Sequence, residues 1–366
     1  MRLKKGPPDF ILFIVTLFLL GIGLVMVFSS SAVTASVRYG DAYFFFKRQL
    51  LWAFLGLIAM IVVMKINYLR LRDFALPALI ITLVCLVVVI TPLGIETKGS
   101  SRWLNLGVAS FSPSELAKLG MVMFLAKALD SNLDNIRSFT HGILPYIGLL
   151  ALVSALIMKQ PDLGTAFAIS GTVFFMLLVA GAKWSHLILL ASLGVGAIVA
   201  AIAVAPYRME RWLAFLDPWK YPTDEGFQTI QSLYALGSGG LFGMGLGRSR
   251  QKFFYLPEQH TDFIYAIIGE ELGFIGAFLV IALFLLFAWR GFKIAINAPD
   301  TFGSLLAAGV TIMIVFQAAI NIGVVSGALP VTGITLPFIS HGGTSLLFSM
   351  IGVGLLLNIS RYSTYR

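Results

Sequence analysis

Charged residues and cysteine are scarce in this chain. Only 12% of its 366 residues are Asp, Glu, Lys or Arg, whereas 58% are hydrophobic and the mean hydropathy is +0.91. A typical soluble domain has roughly 25% charged and 45–50% apolar residues, so this composition excludes an ordinary soluble protein. The single cysteine, Cys85, excludes an intrachain disulfide, and the four scattered histidines lack metal-ligand spacing.

Nucleotide-binding and hydrolase motifs are also missing. The segment GMGLGR at 243–248 lacks the flanking strand and downstream acid of a dinucleotide fingerprint, and no Gly-Lys-Ser/Thr follows to make a P-loop. No G-x-S-x-G nucleophile motif occurs. No internal repeat is visible, which disfavours a transporter built from inverted repeats.

Long apolar runs take the place of these features. A helix needs about 20 predominantly apolar residues to cross a hydrocarbon core of about 30 Å. Such runs lie near residues 10–32, 49–64, 75–94, 111–128, 142–158, 162–181, 184–205, 262–289, 303–327 and 342–359. We therefore predict an all-α integral membrane protein with one domain, 1–366, about ten transmembrane helices, and a long extracellular loop at 206–261 between the seventh and eighth.

The distribution of Lys and Arg predicts the orientation. The side of the N-terminus collects Arg2, Lys4, Lys5, Lys65, Arg70, Arg72, Lys127, Arg137, Lys183, Arg290, Lys293, Arg361 and Arg366. The short loops on the other side hold only Arg38, Lys47, Arg48, Lys98, Arg102 and Lys159. Because Lys and Arg accumulate in short cytoplasmic loops, both termini are expected in the cytoplasm and the long loop outside.

The long loop ends at the most suggestive carboxylate of the chain. Its segment 227–234 has apolar residues on one helical face, which predicts an interfacial helix, and a glycine run and a basic patch follow. Asp262 then has two interpretations: a residue of the first helical turn, with Thr261 as cap, or a general base at the membrane surface beside His260. Glu270 and Glu271 lie about 12 Å deeper by helical rise, so we predict structural pairing for them.

Two further polar motifs begin apolar spans. In FSPSELAK, Ser112 and Glu115 have the spacing of a capping box, and Lys118 lies three residues beyond Glu115, which predicts an intramembrane ion pair. In KQPDLGT, Asp162 is equally interpretable as a helix cap or as a site residue. Several basic residues on the outer side could together bind a phosphate or pyrophosphate group: Arg48, Arg102, Arg248, Arg250 and Lys252. For any one of them, contact with solvent or with a lipid headgroup is the default interpretation.

Several long segments resemble the SEDS family (shape, elongation, division and sporulation). They are GSSRWLNLG, FSPSELAK, QPDLGT, GSGGLFGMGLGRSRQKFFYLPEQHTDFIYAIIGEELGFIG and NIGVVSGALPVTGITLPFISHGGTS, and they span nearly the whole chain. FFFKRQLLW, KFFYLPE and VTGITLPFIS resemble the division and sporulation branch, FtsW and SpoVE, more than RodA. His341 departs from the family, whose members often have tyrosine there.

The resemblance implies a bacterial cytoplasmic-membrane enzyme that polymerises lipid II into glycan strands on the outer face. Asp262 matches the catalytic aspartate, and the sensitive polar positions match Glu115, Lys118 and Asp162, with Arg48 and Arg102 more weakly supported. Basic side chains, with or without a divalent cation such as Mg²⁺ or Mn²⁺, would stabilise the leaving pyrophosphate. No residue cluster demands a metal. The implied partners are a class B penicillin-binding protein and other division or sporulation proteins, with no nucleic acid.

Two other functions compete with the polymerase. Glu115, Lys118 and Glu270 could line the path of a lipid II flippase, which needs a cavity open alternately to each side. A non-enzymatic division scaffold would need neither a cavity nor Asp262. The basic outer loop that ends at Asp262 favours the polymerase, because a polymerase needs a base at one surface.

Overall fold

The computed structural model describes residues 5–97, 100–105 and 110–363, and Arg2, Lys4, Lys98 and Arg366 of the orientation argument lie outside them. Its helices are α1 (Phe10–Tyr39), α2 (Phe44–Lys65), α3 (Tyr68–Val88), α4 (Pro113–Ser131), α5 (Leu144–Met158, preceded by a π-helical turn Phe139–Ile143), α6 (Leu163–Val179), α7 (Trp184–Val204), α8 (Pro206–Leu216), α9 (Phe227–Ser238), α10 (Ile264–Ile296), α11 (Thr301–Val325) and α12 (Gly343–Ser360). Short 3-10 helices cover Leu133–Asn135 and Pro218–Lys220.

The predicted helical membrane fold is confirmed. Within the described residues, eight helical segments are long and apolar enough to cross a bilayer: α1, α2, α3, α5 with its π turn, α7, α10, α11 and α12. Helix α6 is apolar but has 17 residues, and α4 carries two acidic and two basic residues. These two cover the sixth and fourth predicted spans, and the count of ten crossings stays a prediction.

Capping residues explain where several helices begin. The side chains of Asp9, Asn67 and Asp300 accept hydrogen bonds from backbone N–H groups in the first turns of α1, α3 and α11. Pro113 starts α4 and Pro206 starts α8, at positions where a missing N–H costs nothing. Regular helices satisfy the backbone within the membrane, and the polar caps lie at the ends.

Helix α11 forms the centre of the bundle. Its side chains are buried along most of its length, and it packs against α4, α6, α10 and α12. Helix α7 is almost entirely exposed at the periphery. Helices α2 and α12 approach closely because Gly354 lacks a side chain: a Cβ there would lie 2.8 Å from the Met60 carbonyl oxygen.

The end of the bundle that contains the N-terminus is held by polar contacts. Arg290 of α10 forms a salt bridge with Asp9 at the start of α1, and Arg361 donates to the Gly6 carbonyl over 3.3 Å. Arg72 pairs with Asp130 over 2.6 Å. These basic residues all belong to the side that the sequence predicts to be cytoplasmic.

The loops contain more structure than the sequence predicts. A three-stranded antiparallel sheet, β1 (Gly94–Thr97), β2 (Ser100–Asn105) and β3 (Ser110–Phe111), joins α3 to α4, so the third span ends before residue 94. The long loop 206–261 contains the predicted interfacial helix, α9, and an amphipathic helix that we did not predict, α8. Its glycine run folds back onto α10.

Candidate active site

Asp262 lies just before helix α10, outside its first turn. The helix begins at residue 264, and no side chain caps it. Thr261 donates instead to Glu258, with its hydroxyl 3.2 Å from the carbonyl oxygen and 3.0 Å from the carboxylate Oε2. The prediction that Thr261 caps the helix and Asp262 complements its first turn is therefore wrong, and the partly buried carboxylate of Asp262 needs another role.

Asn321 of α11 holds the backbone of Asp262. Its side-chain Nδ2 donates to the carbonyl of Asp262 over 2.7 Å and to that of Ile334 over 2.7 Å. Ile334 belongs to residues 326–342, which we call the central loop, between α11 and α12. A Cβ at Gly333 of this loop would lie 3.6 Å from Asp262 Oδ2, so the loop passes directly beside the carboxylate.

The central loop also forms hydrogen bonds with the residues that precede Asp262. Ser340 donates from its hydroxyl to the Thr261 carbonyl over 2.6 Å, and the backbone N–H of His341 donates to the His260 carbonyl over 2.9 Å. Gln49 of α2 donates in turn to the Ser340 carbonyl over 3.1 Å. Helix α11, the central loop and, through that loop, helix α2 thus hold the backbone around Asp262 in place.

An aromatic cluster closes one side of this position. The Phe45 ring centroid lies 4.4 Å from that of His260 and 5.2 Å from that of His341. Burial, followed by the charges of His260 and Arg48, lowers the pKa of His341 to about 3. His341 is therefore neutral at pH 7. Arg48 is exposed, with its guanidinium 4.9 Å from the Phe44 ring centroid.

Glu115 and Lys118 form the ion pair that their spacing predicts, and its position within the membrane stays a prediction. Lys118 Nζ lies 2.7 Å from Glu115 Oε2 and 2.6 Å from Gln317 Oε1, and Lys118 is 7% exposed. Gln317 Nε2 donates onward to the Thr335 carbonyl of the central loop over 2.9 Å. The capping-box prediction is wrong, because the Ser112 side chain bonds to the Ser114 hydroxyl and not to a backbone N–H of the helix, and Glu115 pairs with Lys118.

Two residues that sequence reasoning missed connect these groups. Gln317 and Asn321 lie one turn apart on α11 and contact Thr335 and Ile334, which are adjacent in the central loop. Hydrogen bonds and backbone thus join the Glu115–Lys118 pair to Asp262. Polar side chains at i and i+4 in an otherwise apolar span would have been a usable signal.

Asp162 caps α6 and also meets Arg102. Its carboxylate accepts from the Thr165 N–H over 3.0 Å and from the Thr165 hydroxyl over 2.9 Å. Arg102 lies 3.7 Å from the same carboxylate. A Cβ at Gly164 would lie 2.6 Å from the Thr332 carbonyl, so this end of α6 packs against the central loop. Both interpretations of Asp162, cap and site residue, therefore remain compatible with its position.

The basic residues of the long loop do not share one environment. Arg248 and Arg250 are exposed, and neither side chain has an ion-pair partner among the described residues. Lys252 is only 4% exposed and lies 3.1 Å from Glu271, which is fully buried. We therefore correct the expectation that Lys252 belongs to an exposed cationic field: a buried carboxylate needs a counter-charge, and Lys252 supplies it.

An apolar groove opens beside this loop. It has a volume of about 530 Å³ and is lined by Leu246, Leu272 and one face of α1 from Ile14 to Met26. Across residues 5–97, 100–105 and 110–363, no three His, Cys, Asp or Glu side chains gather in a way that could hold a metal ion. We therefore derive no step through Mg²⁺ or Mn²⁺.

The chain is similar to known proteins along nearly its whole length. A family model described as "Cell cycle protein", that of FtsW, RodA and SpoVE, matches residues 10–365. Stage V sporulation protein E of Bacillus subtilis (strain 168) is 50% identical over 366 residues, 100% of both chains. "Probable peptidoglycan glycosyltransferase FtsW" of Geobacter metallireducens is 42% identical over 353 residues, 96% of this chain and 94% of that protein.

Solved structures are also similar to this chain along nearly its whole length. A chain of the structure described as "Structural coordination of polymerization and crosslinking by a peptidoglycan synthase complex" has a TM-score of 0.80 and 33% identity, covering 97% of this chain and 98% of its own. The rod shape determining protein RodA of Thermus thermophilus has a TM-score of 0.72 and 29% identity, covering 98% of both chains. This chain therefore belongs to the FtsW/RodA/SpoVE family, as its SEDS motifs predicted.

Proposed function

We propose that this protein is a peptidoglycan glycosyltransferase that polymerises lipid II at the outer face of the cytoplasmic membrane. The observation that carries the proposal is the carboxylate of Asp262, which lies at the end of the long loop where Asn321 and the central loop hold its backbone. The relatives named peptidoglycan glycosyltransferase cover almost the whole chain and support the same reaction.

Asp262 acts as the general base. Its carboxylate takes the proton of the 4-hydroxyl of the acceptor GlcNAc, and that oxygen attacks the anomeric carbon of the donor MurNAc with inversion. The bond between this carbon and the pyrophosphate oxygen breaks, and undecaprenyl pyrophosphate leaves. A tethered backbone favours the reaction because the base is oriented before the substrate arrives.

Cationic side chains offset the charge that develops on the leaving group. Arg248 and Arg250 are free of ion pairs within the described chain, so they can receive the pyrophosphate. Arg48 and Arg102 are the further candidates on this side. The apolar groove between α1 and Leu246 and Leu272 offers a place for the polyprenyl chain close to the loop that carries the arginines.

The remaining polar residues bind substrate or support the site. The Glu115–Lys118 pair reaches Asp262 through α11 and the central loop, and Asp162 reaches the same loop through α6. This arrangement favours a polymerase with one polar face over a flippase. Three cavities of the described chain, at Leu246 and α1, at Glu210 to Pro257 and at Lys118 to Met176, do not have both Glu115 and Glu270 in their lining.

The elements described between residues 5 and 363 form a helical bundle with one small sheet and contain no transpeptidase domain, so we assign cross-linking to a second protein. The solved relative, described as a complex of polymerization and crosslinking, supports a class B penicillin-binding protein as that partner. The similarity to Stage V sporulation protein E and to FtsW supports a role in sporulation or division, alongside other proteins of those processes.

The test uses the full chain in detergent or nanodiscs, with and without its transpeptidase, and labelled lipid II. Wild type is expected to make glycan polymer and Asp262→Ala none. Asp41→Asn, at an exposed carboxylate between α1 and α2, is the matched control and should polymerise normally. Polymer from Asp262→Ala would refute the base assignment. Leaflet transfer in liposomes that survives Asp262→Ala, without polymer from wild type, would favour the flippase.

A further inference from the structure

Helix α10 is interrupted at Gly273, and the long loop fills the interruption. Gly273 has φ 67° and ψ −167°, which is not a helical conformation. The N–H groups of the next two residues, Phe274 and Ile275, donate to the carbonyls of Gly240 and Leu241, over 2.8 and 3.2 Å. The segment 239–252, which we call the basic arm, is therefore inserted into the hydrogen-bond pattern of the helix.

The two carbonyls that the interruption releases also bind the arm. Met244 donates from its N–H to the Glu270 carbonyl over 2.9 Å, and Gly245 donates to the Glu271 carbonyl over 3.0 Å. The glycine-rich sequence allows this approach, because a Cβ at Gly243 would lie 2.2 Å from the Glu271 carbonyl oxygen. Four backbone groups at the break, the carbonyls of Glu270 and Glu271 and the N–H groups of Phe274 and Ile275, thus have partners in the arm.

The carboxylates of the same two residues hold the tip of the arm. Glu270 accepts hydrogen bonds from the Ser249 hydroxyl and from the N–H groups of Arg250 and Gln251, the latter two over 2.8 and 3.4 Å. A carboxylate that accepts three donors is satisfied although Glu270 is only 1% exposed. It therefore has no direct access to substrate.

Glu271 completes the attachment from the other side. It accepts from the Ser29 hydroxyl over 2.6 Å, from the Ser249 N–H over 3.3 Å and from Lys252 Nζ over 3.1 Å. Between these contacts, Arg248 and Arg250 point their side chains out of the protein. Glu270 and Glu271 thus fix the backbone that carries the two exposed arginines.

We infer that Glu270 and Glu271 are positioning residues of the proposed glycosyltransferase: they orient Arg248 and Arg250 toward the pyrophosphate of the lipid-linked donor. The inference rests on the proposed function and deepens it. The carboxylates act through the arginines, so their loss weakens donor binding more than it slows the chemical step at Asp262.

The experiment measures lipid II polymerisation by the full chain in nanodiscs for Glu270→Gln in the wild-type and Arg248→Gln/Arg250→Gln backgrounds. In the wild-type background, KM for lipid II should rise about tenfold, the size of one charge-assisted contact, with kcat changed less than about threefold. In the arginine-free background, Glu270→Gln should leave KM unchanged, because the groups it positions are gone.

Two further variants keep the inference testable if Glu270→Gln fails to fold. Ser249→Ala removes one donor to Glu270, and Glu271→Gln/Lys252→Met removes the buried charge pair together. Each should raise KM and also make the chain more sensitive to trypsin after Arg248 and Arg250. The matched control, Asp9→Asn, breaks a buried pair at the other end of the bundle and should change neither readout.

Three results would overturn the inference: an unchanged KM in every arm variant, equal losses in both backgrounds, or no effect of Arg248→Gln/Arg250→Gln on KM. These differ from a failure of the proposed function, in which wild type makes no polymer or Asp262→Ala polymerises as well as wild type.

Discussion

Asn321 donates two hydrogen bonds of 2.7 Å from one side-chain nitrogen, one to the carbonyl of Asp262 and one to that of Ile334. Both acceptors are carbonyl oxygens, so the amide can only be oriented with Nδ2 toward them. A single polar group on the central helix therefore connects the backbone of Asp262 to the loop beside it.

Replacing Asn321 by leucine should slow catalysis while the fold survives. The substitution removes both bonds but keeps the branched shape of the side chain, and Asp262 loses its orientation, so kcat should fall roughly 10- to 100-fold with little change in KM. Polymerisation kinetics would measure this. Thr311→Val, on the same helix, removes a hydroxyl bonded only within α11 and is the control. A normal kcat for Asn321→Leu would contradict the role given to it.

The Glu115–Lys118 pair should show strong coupling in a stability cycle. Lys118→Met leaves a mostly buried carboxylate without its cation and should lower the free energy of unfolding by roughly 3–5 kcal/mol. Glu115→Gln/Lys118→Met should recover most of that loss, because no unpaired charge remains. Thermal unfolding in detergent measures both. Additive losses would mean that the pair does not interact as its 2.7 Å separation requires.

Gly273→Ala should disturb the attachment of the basic arm. A Cβ there would lie 2.3 Å from the Gly243 nitrogen, and the residue has a positive φ that disfavours a side chain. We expect a lower melting temperature and trypsin cleavage in the arm. Gly194→Ala, in a helix with open space around it, should instead be neutral or stabilising by about 0.5–1 kcal/mol. If both variants have the same melting temperature and trypsin sensitivity, the close contact between Gly273 and the basic arm does not stabilise the attachment.

His341, which is neutral and partly buried, should make the protein sensitive to acid. Its pKa is about 3 in the folded protein and about 6.5 when exposed, so between these values the unfolded chain binds more protons. Stability is then fully present above pH 6.5 and falls as the pH drops, by up to roughly 1.4 kcal/mol per unit from this group. His260 and Arg48 oppose its protonation.

Melting temperatures measured from pH 7 to pH 5 would test this. His341→Tyr places at this position the residue that the family often has, and it should flatten the dependence. If wild type and His341→Tyr lose stability in parallel, the acid sensitivity comes from other groups.

Contacts between residues that are close in the sequence could be predicted from residue spacing alone. The spacing of Glu115 and Lys118 predicted their ion pair correctly, and the position of Asp162 at the start of a span predicted a cap that the structure contains. The errors arose where a side chain bonded to a partner other than the one that its local pattern predicts. Thr261 donates to Glu258 and does not cap helix α10. Lys252 pairs with Glu271, 19 residues further along the chain, and does not belong to the predicted cationic field.

The sequence alone determined that the chain is a helical membrane protein of this family, since apolar length and long motifs do not depend on how the helices pack. Only the tertiary structure decided which polar groups meet. Asn321 reaches Asp262 across 59 positions and Ser29 reaches Glu271 across 242, and no local pattern encodes such contacts. Buried polar groups in an apolar bundle must find partners wherever the packing places them, so of three carboxylates near one loop, Asp262 is partly exposed and Glu270 and Glu271 are buried in contact with that loop.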